Sequence, residues 1–346
     1  MSTPGKRAVK TKELSSGSAG ISSPHIVSGE SVRGIMLDVM IALVPALGVS
    51  AYFFGPRVVI MVLVSMVSCV LFEILYRLLL RRPQSAGDLS ACVTGMLLAM
   101  CLPVSAPYWL AIVGAFFAIV VVKQLYGGLG RNFLNPALAG RVFLFSFPAL
   151  MNIWSAAGTD FWPGLDMTVD AVVSATPMAG LRQGVLPELT LRQMLLGAHG
   201  GSLGEGPALM LILGGVYLLL RKVITLRIPV SYLGTVALLT YLFPRGGNAP
   251  LDWMLYNLLG GGLLLGAIFM ATDYVTSPVT PRGQIIYGVG CGALTVFLRY
   301  FGAFPEGVSF SILIMNAFVW LIDRAGRPHR FGAPWPWDRK KGGEDA

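Results

Sequence analysis

The stretch IMLDVMIALVPALGVSAYFFGPRVVIMVLVSMVSCVLFEILYRLLL, residues 35–80, decides the fold of this chain. It holds two apolar segments, 35–54 and 57–80, with only a Gly-Pro pair between them. A helix needs roughly 20 apolar residues to cross a bilayer, and each segment is about that long. The stretch therefore predicts a hairpin of two membrane-spanning helices.

The rest of the chain continues this pattern. Hydrophobic residues make up 55% of it and charged residues only 12%, whereas soluble domains have roughly 25% charged residues. Strands of a membrane barrel need only about 10 residues, so segments of this length favour helices. We predict an all-α integral membrane protein with about ten transmembrane helices. The predicted spans are 35–54, 57–80, 88–103, 107–125, 137–151, 206–221, 229–244, 252–271, 284–302 and 307–323.

Two of these spans are interrupted. The third contains Thr94, Gly95 and Pro103, and the eighth contains Gly260–Gly262. Irregular backbone at membrane depth is tolerated only where it is buried or lines a cavity. Five spans on each side of one long loop suggest two inverted five-helix halves. The predicted organisation is a tail over 1–34, a membrane half over 35–151, a loop over 152–205, a membrane half over 206–323 and a tail over 324–346.

Basic residues indicate the orientation, because Lys and Arg stay preferentially on the cytoplasmic side. With both termini in the cytoplasm, 21 of the 26 basic residues lie on that side. We therefore predict a multi-pass protein of the inner (cytoplasmic) membrane, with the loop 152–205 on the outer face. The net charge of +9 suits anionic lipid headgroups, and we predict no nucleic-acid partner.

Several kinds of site are excluded by residue type and spacing. The four cysteines lie in predicted spans without a close pair, and the three histidines lie in loops or tails, which argues against iron–sulfur clusters and membrane haem. No phosphate-cradling glycine motif is present. We predict no metal site and no catalytic residue on this chain.

Ionisable groups near spans are expensive and often mark ion or substrate paths. They are Asp38, Glu73, Lys123, Arg141, Asp252 and Asp273. Glu73 and Arg77 are four residues apart, which predicts a local ion pair, and Asp252 suits the start of a helix.

Two polar elements share the predicted cytoplasmic side. YGGLGRNFLNPALAGR, residues 126–141, contains the donors Arg131, Asn132 and Asn135, and TDYVTSPVTPRG, residues 272–283, begins with Thr272 and Asp273. One interpretation is a polar cavity between the two halves. The alternatives are a helix cap at Asn135 and a solvated loop at Asp273.

The outer loop contains DAVVSATPMAG, residues 170–180. Thr176 has no evident base partner, so it is not predicted to be a nucleophile. Its hydroxyl is either part of a plain surface turn or the acceptor for a modifying enzyme. The residues alone leave both interpretations open.

Four motifs together resemble one protein family. They are SGESVRGIMLDVMIALVPAL (28–47), GGLGRNFLNPALAGR (127–141), DAVVSATPMA (170–179) and FMATDYVTSPVTPRGQIIYG (269–288). They follow the order found in D subunits of the Rnf electron-transport complex, and more distantly in B subunits of the sodium-translocating NADH:quinone reductase. The resemblance covers residues 25–325.

The resemblance implies a flavin mononucleotide (FMN) joined to Thr176 through a phosphodiester. A flavin transferase would recognise Asp170, Ser174, Ala175 and Pro177 around it. Ala171 and Val173 depart from the family's commonest residues but leave acid and acceptor in place. The family also implies a second, noncovalent flavin such as riboflavin. The candidate residues for that flavin, or for an ion, are Arg131, Asn132, Asn135, Thr272 and Asp273.

The function implied is that of one component of an ion-translocating ferredoxin:NAD oxidoreductase, coupling electron transfer to Na⁺ or H⁺ movement. Its partners would be an NAD-linked flavoprotein, iron–sulfur proteins, the G component with its own covalent FMN, and the A and E membrane components of the Rnf complex. The alternatives are the quinone-reductase B component, a solute channel or transporter, and a structural anchor for other proteins of the complex.

Overall fold

The chain is built from helices, as apolar segments in a bilayer must satisfy their own backbone hydrogen bonds. A computed structural model describes residues 31–151, 176–197, 199–302 and 306–326. The predicted attachment residues Asp170, Ser174 and Ala175 lie outside these ranges. The described helices belong to one unit that starts at Val32.

The helices are numbered in chain order. They are α1 Val32–Phe54, α2 Arg57–Leu79, α3 Ser90–Met100, α4 Tyr108–Phe116, α5 Pro136–Leu144, α6 Pro148–Met151, α7 Pro177–Arg182, α8 Leu191–Leu196, α9 Ala208–Leu220, α10 Arg227–Leu242, α11 Pro250–Leu259, α12 Leu263–Leu265, α13 Pro281–Phe301 and α14 Val308–Ala325. Two of them continue with wider π-helical winding, α4 through Phe117–Gln124 and α12 through Gly266–Met270.

Among the described residues, four helices are long and apolar enough to cross a membrane, namely α1, α2, α13 and α14. A fifth span forms if α11 and the extended α12 are one helix bent by 64°. Shorter apolar helices are α3, α9 and the extended α4. Along α2, Leu75 and Leu79 are 60% and 78% exposed, so this face suits contact with lipid. The chain is therefore an all-α, multi-pass membrane protein.

The third predicted span stops being helical at Met100. Thr94 and Gly95 lie inside α3, so the interruption begins at Cys101. The irregular backbone that follows pairs with a distant segment. Leu203 N donates to Leu102 O at 3.1 Å, and Gly204 N donates to Met100 O at 2.7 Å. These bonds satisfy backbone groups that would otherwise be buried without partners.

Residues 199–206 form that distant segment, and all of them are buried. The Ser50 hydroxyl of α1 donates to Leu203 O at 2.6 Å. Arg57, at the start of α2, donates to Val104 O and Ala106 O at 2.9 and 3.1 Å. The end of the predicted outer loop is thus held inside the helix bundle.

The eighth predicted span breaks at its glycines. Gly261 and Gly262 have φ values of +72° and +63°, a left-handed conformation that glycine adopts without a steric penalty. The chain can therefore leave α11, turn, and enter α12 at a new angle. The break exposes two helix ends to side chains from other elements.

Close packing of α2 on α3 depends on Gly95. A Cβ atom there would lie 2.6 Å from Met66 Cα, whereas a Cβ at Gly48 of α1 would have nothing within 4 Å. We expect Gly95→Ala to destabilise the protein by about 1–3 kcal/mol because the helices must separate. Gly48→Ala is the matched control and should be neutral or stabilising by up to about 1 kcal/mol. Thermal unfolding in detergent measures both; equal effects would contradict the packing argument.

Candidate functional site

The two polar elements predicted from the sequence meet in one cavity. Its volume is about 80 Å³. Its polar lining consists of Ser90, Thr94, Lys123, Asn132, Asn135, Thr272 and Asp273, and apolar side chains such as Ile35, Val39 and Phe269 complete it. We call it the amide cavity.

Asn135 has two roles at this cavity. Its Oδ1 accepts from Ala137 N at 3.0 Å and Leu138 N at 3.3 Å, so the predicted helix cap is confirmed. Its Nδ2 also donates to Met270 O at 3.2 Å. The same amide therefore caps α5 and ties it to the end of the extended α12.

Asn132 is the less satisfied of the two amides. Its side chain is buried, and Nδ2 donates to Leu134 O at 3.1 Å. Its Oδ1 has no hydrogen-bond partner among the described residues. Arg131, by contrast, is exposed and does not line the cavity. Asn132 therefore retains an unused acceptor.

On the opposite wall, Thr272 and Asp273 follow the extended α12. The Thr272 hydroxyl donates to Ile268 O at 2.6 Å, and Asp273 Oδ2 accepts from the Thr276 hydroxyl at 3.0 Å. Loss of hydration raises the pKa of the Asp273 carboxyl above its ordinary value, while the Thr276 hydrogen bond acts in the opposite direction. The Asp273 carboxyl therefore keeps its proton to a higher pH than the carboxyl of a free aspartate does.

A buried ion pair stands beside the amide cavity. Lys123 Nζ lies 3.0 Å from Glu73 Oε2 and donates to the Ser90 hydroxyl at 2.6 Å. Gln124 Nε2 donates to Glu73 Oε1 at 2.9 Å. The predicted Glu73–Arg77 pair is confirmed but longer, at 3.9 Å. Lys123 is the main partner, and only the fold brings it to Glu73.

Thr176 lies elsewhere, immediately before α7. It is 6% exposed and occupies the N-cap position, yet its side chain does not cap the helix. Thr190 and Thr280 occupy the same position before α8 and α13 and do cap. The Thr176 hydroxyl is thus not used as its position would suggest.

The segment after Thr176 packs against the broken helix. Met178 forms a small apolar cluster with Leu181 and Trp253. A Cβ at Gly261 would lie 3.0 Å from Met178 Sδ. The Tyr256 hydroxyl of α11 donates to Leu189 O at 2.6 Å. These contacts place α7, which begins directly after Thr176, at the α11 side of the break.

Four charged side chains surround the same break, and we call them the break cluster. They are Arg141, Glu205, Arg299 and Glu306. Arg299 donates to Asn257 O and Gly260 O, Glu205 accepts from Gly261 N, and Arg141 pairs with Glu306. Nothing in the local sequence marks Glu205 or Glu306 as buried, so sequence reasoning missed them.

Comparison with known proteins decides the family. The sequence model of the NQR2, RnfD, RnfE family matches residues 20–332. The chain belongs to this family.

Relatives in the family match over nearly their full length. The chain is 44% identical over 315 residues to the D subunit of the Na⁺-translocating ferredoxin:NAD⁺ oxidoreductase complex of Acetobacterium woodii, covering 90% of this chain and 94% of the relative. It is 40% identical over 321 residues to the D subunit of the proton-translocating counterpart of Clostridium ljungdahlii, covering 90% and 95%. The D subunit of an ion-translocating oxidoreductase complex from Stutzerimonas stutzeri is 40% identical over 327 residues, covering 87% and 92%.

The family match includes all four motifs that carry the resemblance. Three of them contribute residues to the lining of the amide cavity, and the remaining one, 170–179, ends in α7 beside the break cluster. The two relatives with named ions differ in the ion. Family membership therefore assigns a kind of complex and leaves Na⁺ and H⁺ open.

Proposed function

We propose that this chain is the D subunit of an ion-translocating ferredoxin:NAD⁺ oxidoreductase complex and carries FMN on Thr176. The names and full-length coverage of the relatives support the complex. One structural observation supports the tether: Thr176 occupies an N-cap position without capping its helix. Its oxygen is therefore not needed to hold α7 in place.

The residues around Thr176 fit a covalently held flavin. The Thr176 hydroxyl accepts no hydrogen bond from the first turn of α7, so the helix loses little if that hydroxyl carries a phosphodiester. Because Thr176 is 6% exposed, we propose that the flavin transferase acts before this segment packs against α11. The tether then retains the flavin on the outer face.

The bound flavin would supply electron transfer, and the protein would supply position and electrostatics. Met178 and Trp253 anchor α7 on the broken helix, which fixes where the tether begins. The break cluster places buried charges next to that point. We therefore assign to this chain the role of relaying electrons through the tethered flavin, within a redox complex that moves an ion.

The amide cavity is our candidate for the second, noncovalent flavin. Its mixed lining, apolar with a few convergent polar groups, suits a planar apolar ring with polar edges. The unused Asn132 Oδ1 can accept from a ring N–H, and Lys123 and Asp273 stand at the same cavity. An ion near Asp273 is the competing occupant.

Asn132→Leu tests this assignment. Losing one buried hydrogen bond of about 1.4 kcal/mol should weaken retention of the noncovalent flavin about tenfold. Arg131→Gln changes an exposed neighbour and should leave retention unaltered. Flavin released by acid from the purified complex is measured against the covalent fraction. Equal retention in both variants would move the second flavin away from this cavity.

A ten-span arrangement of two inverted halves accounts for the helix packing. The helix α2 packs on α3 and α4, as α10 packs on α11 and α13. The pair α4 and α5 then corresponds to α13 and α14, which also pack together. Contacts of α1 with α9 and of α5 with α14 would join the halves.

The proposed topology places the Thr176 loop on the outer face and both termini in the cytoplasm. Asn248 Nδ2, in the loop after α10, donates to Gly184 O at 2.8 Å. The loop after α10 and the loop that contains Gly184 are therefore at the same end of the bundle. This agrees with the positive-inside rule, by which both are predicted to be outer loops.

The proposed partners are the NAD-linked flavoprotein, the iron–sulfur proteins, the G component with covalent FMN, and the A and E membrane components.

The deciding experiment is flavin fluorescence of the denatured chain on a gel. Co-expression with its flavin transferase should give a fluorescent band at 37.0 kDa, and omission of the transferase should give none. A dark band with the transferase present would favour a solute transporter. Activity with quinone in place of NAD⁺ would favour the quinone-reductase B component.

A further inference from the structure

At the helix break, a charged side chain hydrogen-bonds to the backbone of each of the two helix ends. The two side chains carry charges of opposite sign. Arg299 of α13 donates to Asn257 O at 2.5 Å and Gly260 O at 2.9 Å, at the carbonyl end of α11. Glu205 Oε1 accepts from Gly261 N at 2.5 Å, at the amide end of α12. A cation at the C-terminal end and an anion at the N-terminal end is the favourable arrangement for helix dipoles.

The cations of the break cluster retain unused donors. Arg299 and Arg141 are 2% and 3% exposed. The Nε of each has no hydrogen-bond partner among the described residues. A guanidinium carries five N–H donors and no acceptor. A group that completes this site must therefore offer acceptor atoms or negative charge.

The break glycines connect these guanidinium groups to the Thr176 segment. A Cβ at Gly261 would lie 2.7 Å from Arg299 Nη2 and 3.0 Å from Met178 Sδ, two residues after Thr176. A Cβ at Gly262 would lie 3.9 Å from Arg141 Nη1. Only the backbone of Gly261 and Gly262, which has no side chains, therefore lies between the guanidinium groups of Arg299 and Arg141 and the start of α7.

We infer that Arg299 and Glu205 set the midpoint potential of the flavin tethered at Thr176, in opposite directions. This inference rests on the proposed attachment. When two electrons from the ferredoxin side of the complex and one proton enter the flavin, it gains one negative charge. Arg299 stabilises that charge and Glu205 opposes it, because a buried environment screens both weakly. Arg299 is here a positioning and electrostatic residue and touches no reacting atom in this structure.

The test is a redox titration of the purified complex carrying Arg299→Gln or Glu205→Gln. The titration of a Thr176→Ala complex is subtracted, so that only the tethered flavin remains. Arg299→Gln should lower the reduced-to-oxidised ratio at a given potential about tenfold, equal to about 30 mV for two electrons. Glu205→Gln should raise the ratio by a similar factor. Arg192→Gln, an exposed arginine of α8, is the matched control and should change nothing.

Gel fluorescence is measured first in every variant, so loss of attachment is distinguished from a change in potential. A dark wild-type band defeats the proposed attachment itself. Intact fluorescence with unchanged potentials, or shifts of the same sign in both variants, overturns the roles of Arg299 and Glu205. If Arg299→Gln does not assemble, Arg299→Lys keeps the charge and should titrate near wild type, while Glu205→Gln still tests the sign.

Discussion

Thr176→Ala is expected to abolish flavin fluorescence of the denatured chain completely, because the phosphodiester would have no oxygen on which to form. Thr176→Ser keeps a hydroxyl and should retain part of the signal. Turnover of the assembled complex should fall with the flavin, since electrons would lose one carrier. The measurements are gel fluorescence at constant chain amount and ferredoxin-dependent NAD⁺ reduction.

Thr190→Ala is the matched control for this prediction. Thr190 also precedes a helix of the same loop, but its side chain caps α8. Removing that cap should cost about 1 kcal/mol of stability and leave fluorescence intact. Fluorescence that survives Thr176→Ala would place the attachment on another residue. If Thr176→Ala abolishes fluorescence but does not alter turnover, this chain would serve as a structural anchor for the other subunits.

Lys123→Met is expected to be the most destabilising single substitution beside the amide cavity. It would leave the buried Glu73 with only the more distant Arg77, 3.9 Å away, as a cation, at a cost of about 3–5 kcal/mol. The double variant with Glu73→Gln should recover most of that loss, because two neutral groups need no counter-charge. Thermal unfolding of the detergent-solubilised protein measures both.

Arg221→Met provides the comparison for an exposed pair. Arg221 lies 3.1 Å from Asp38, but its side chain is 59% exposed. The Tyr217 hydroxyl still donates to Asp38 at 2.8 Å, so we expect a loss of about 1 kcal/mol or less. Similar losses for Lys123→Met and Arg221→Met would show that burial does not determine the strength of these pairs.

Hydropathy predicted the helices well because the information is local. A helix overlaps each apolar range, although the fifth range, 137–151, divides into α5 and α6. The break at Gly260–Gly262 is where the glycines indicate. The third span was harder, since Thr94 and Gly95 are helical and the interruption comes at Cys101. Gly95 instead permits close packing on α2, which depends on a neighbour that sequence spacing does not reveal.

The candidate sites show the same division. Asn132, Asn135, Thr272 and Asp273 were selected from two motifs more than a hundred residues apart, and all four line the amide cavity. Arg131 belongs to the same motif but is exposed. Within a short loop, the side on which each residue faces is set by packing, so the motif could not separate Arg131 from Asn132.

The sequence by itself determined the membrane setting, the helix ranges, the family and the proposed acceptor Thr176, because each depends on residue type and order along the chain. Only the tertiary structure decided which charges share the interior. It buried residues 199–206 beside α3, paired Lys123 with Glu73, and brought Glu205 and Arg299 to the broken helix. Those pairings join residues 39 to 56 positions apart, and burial makes them strong because water does not screen them.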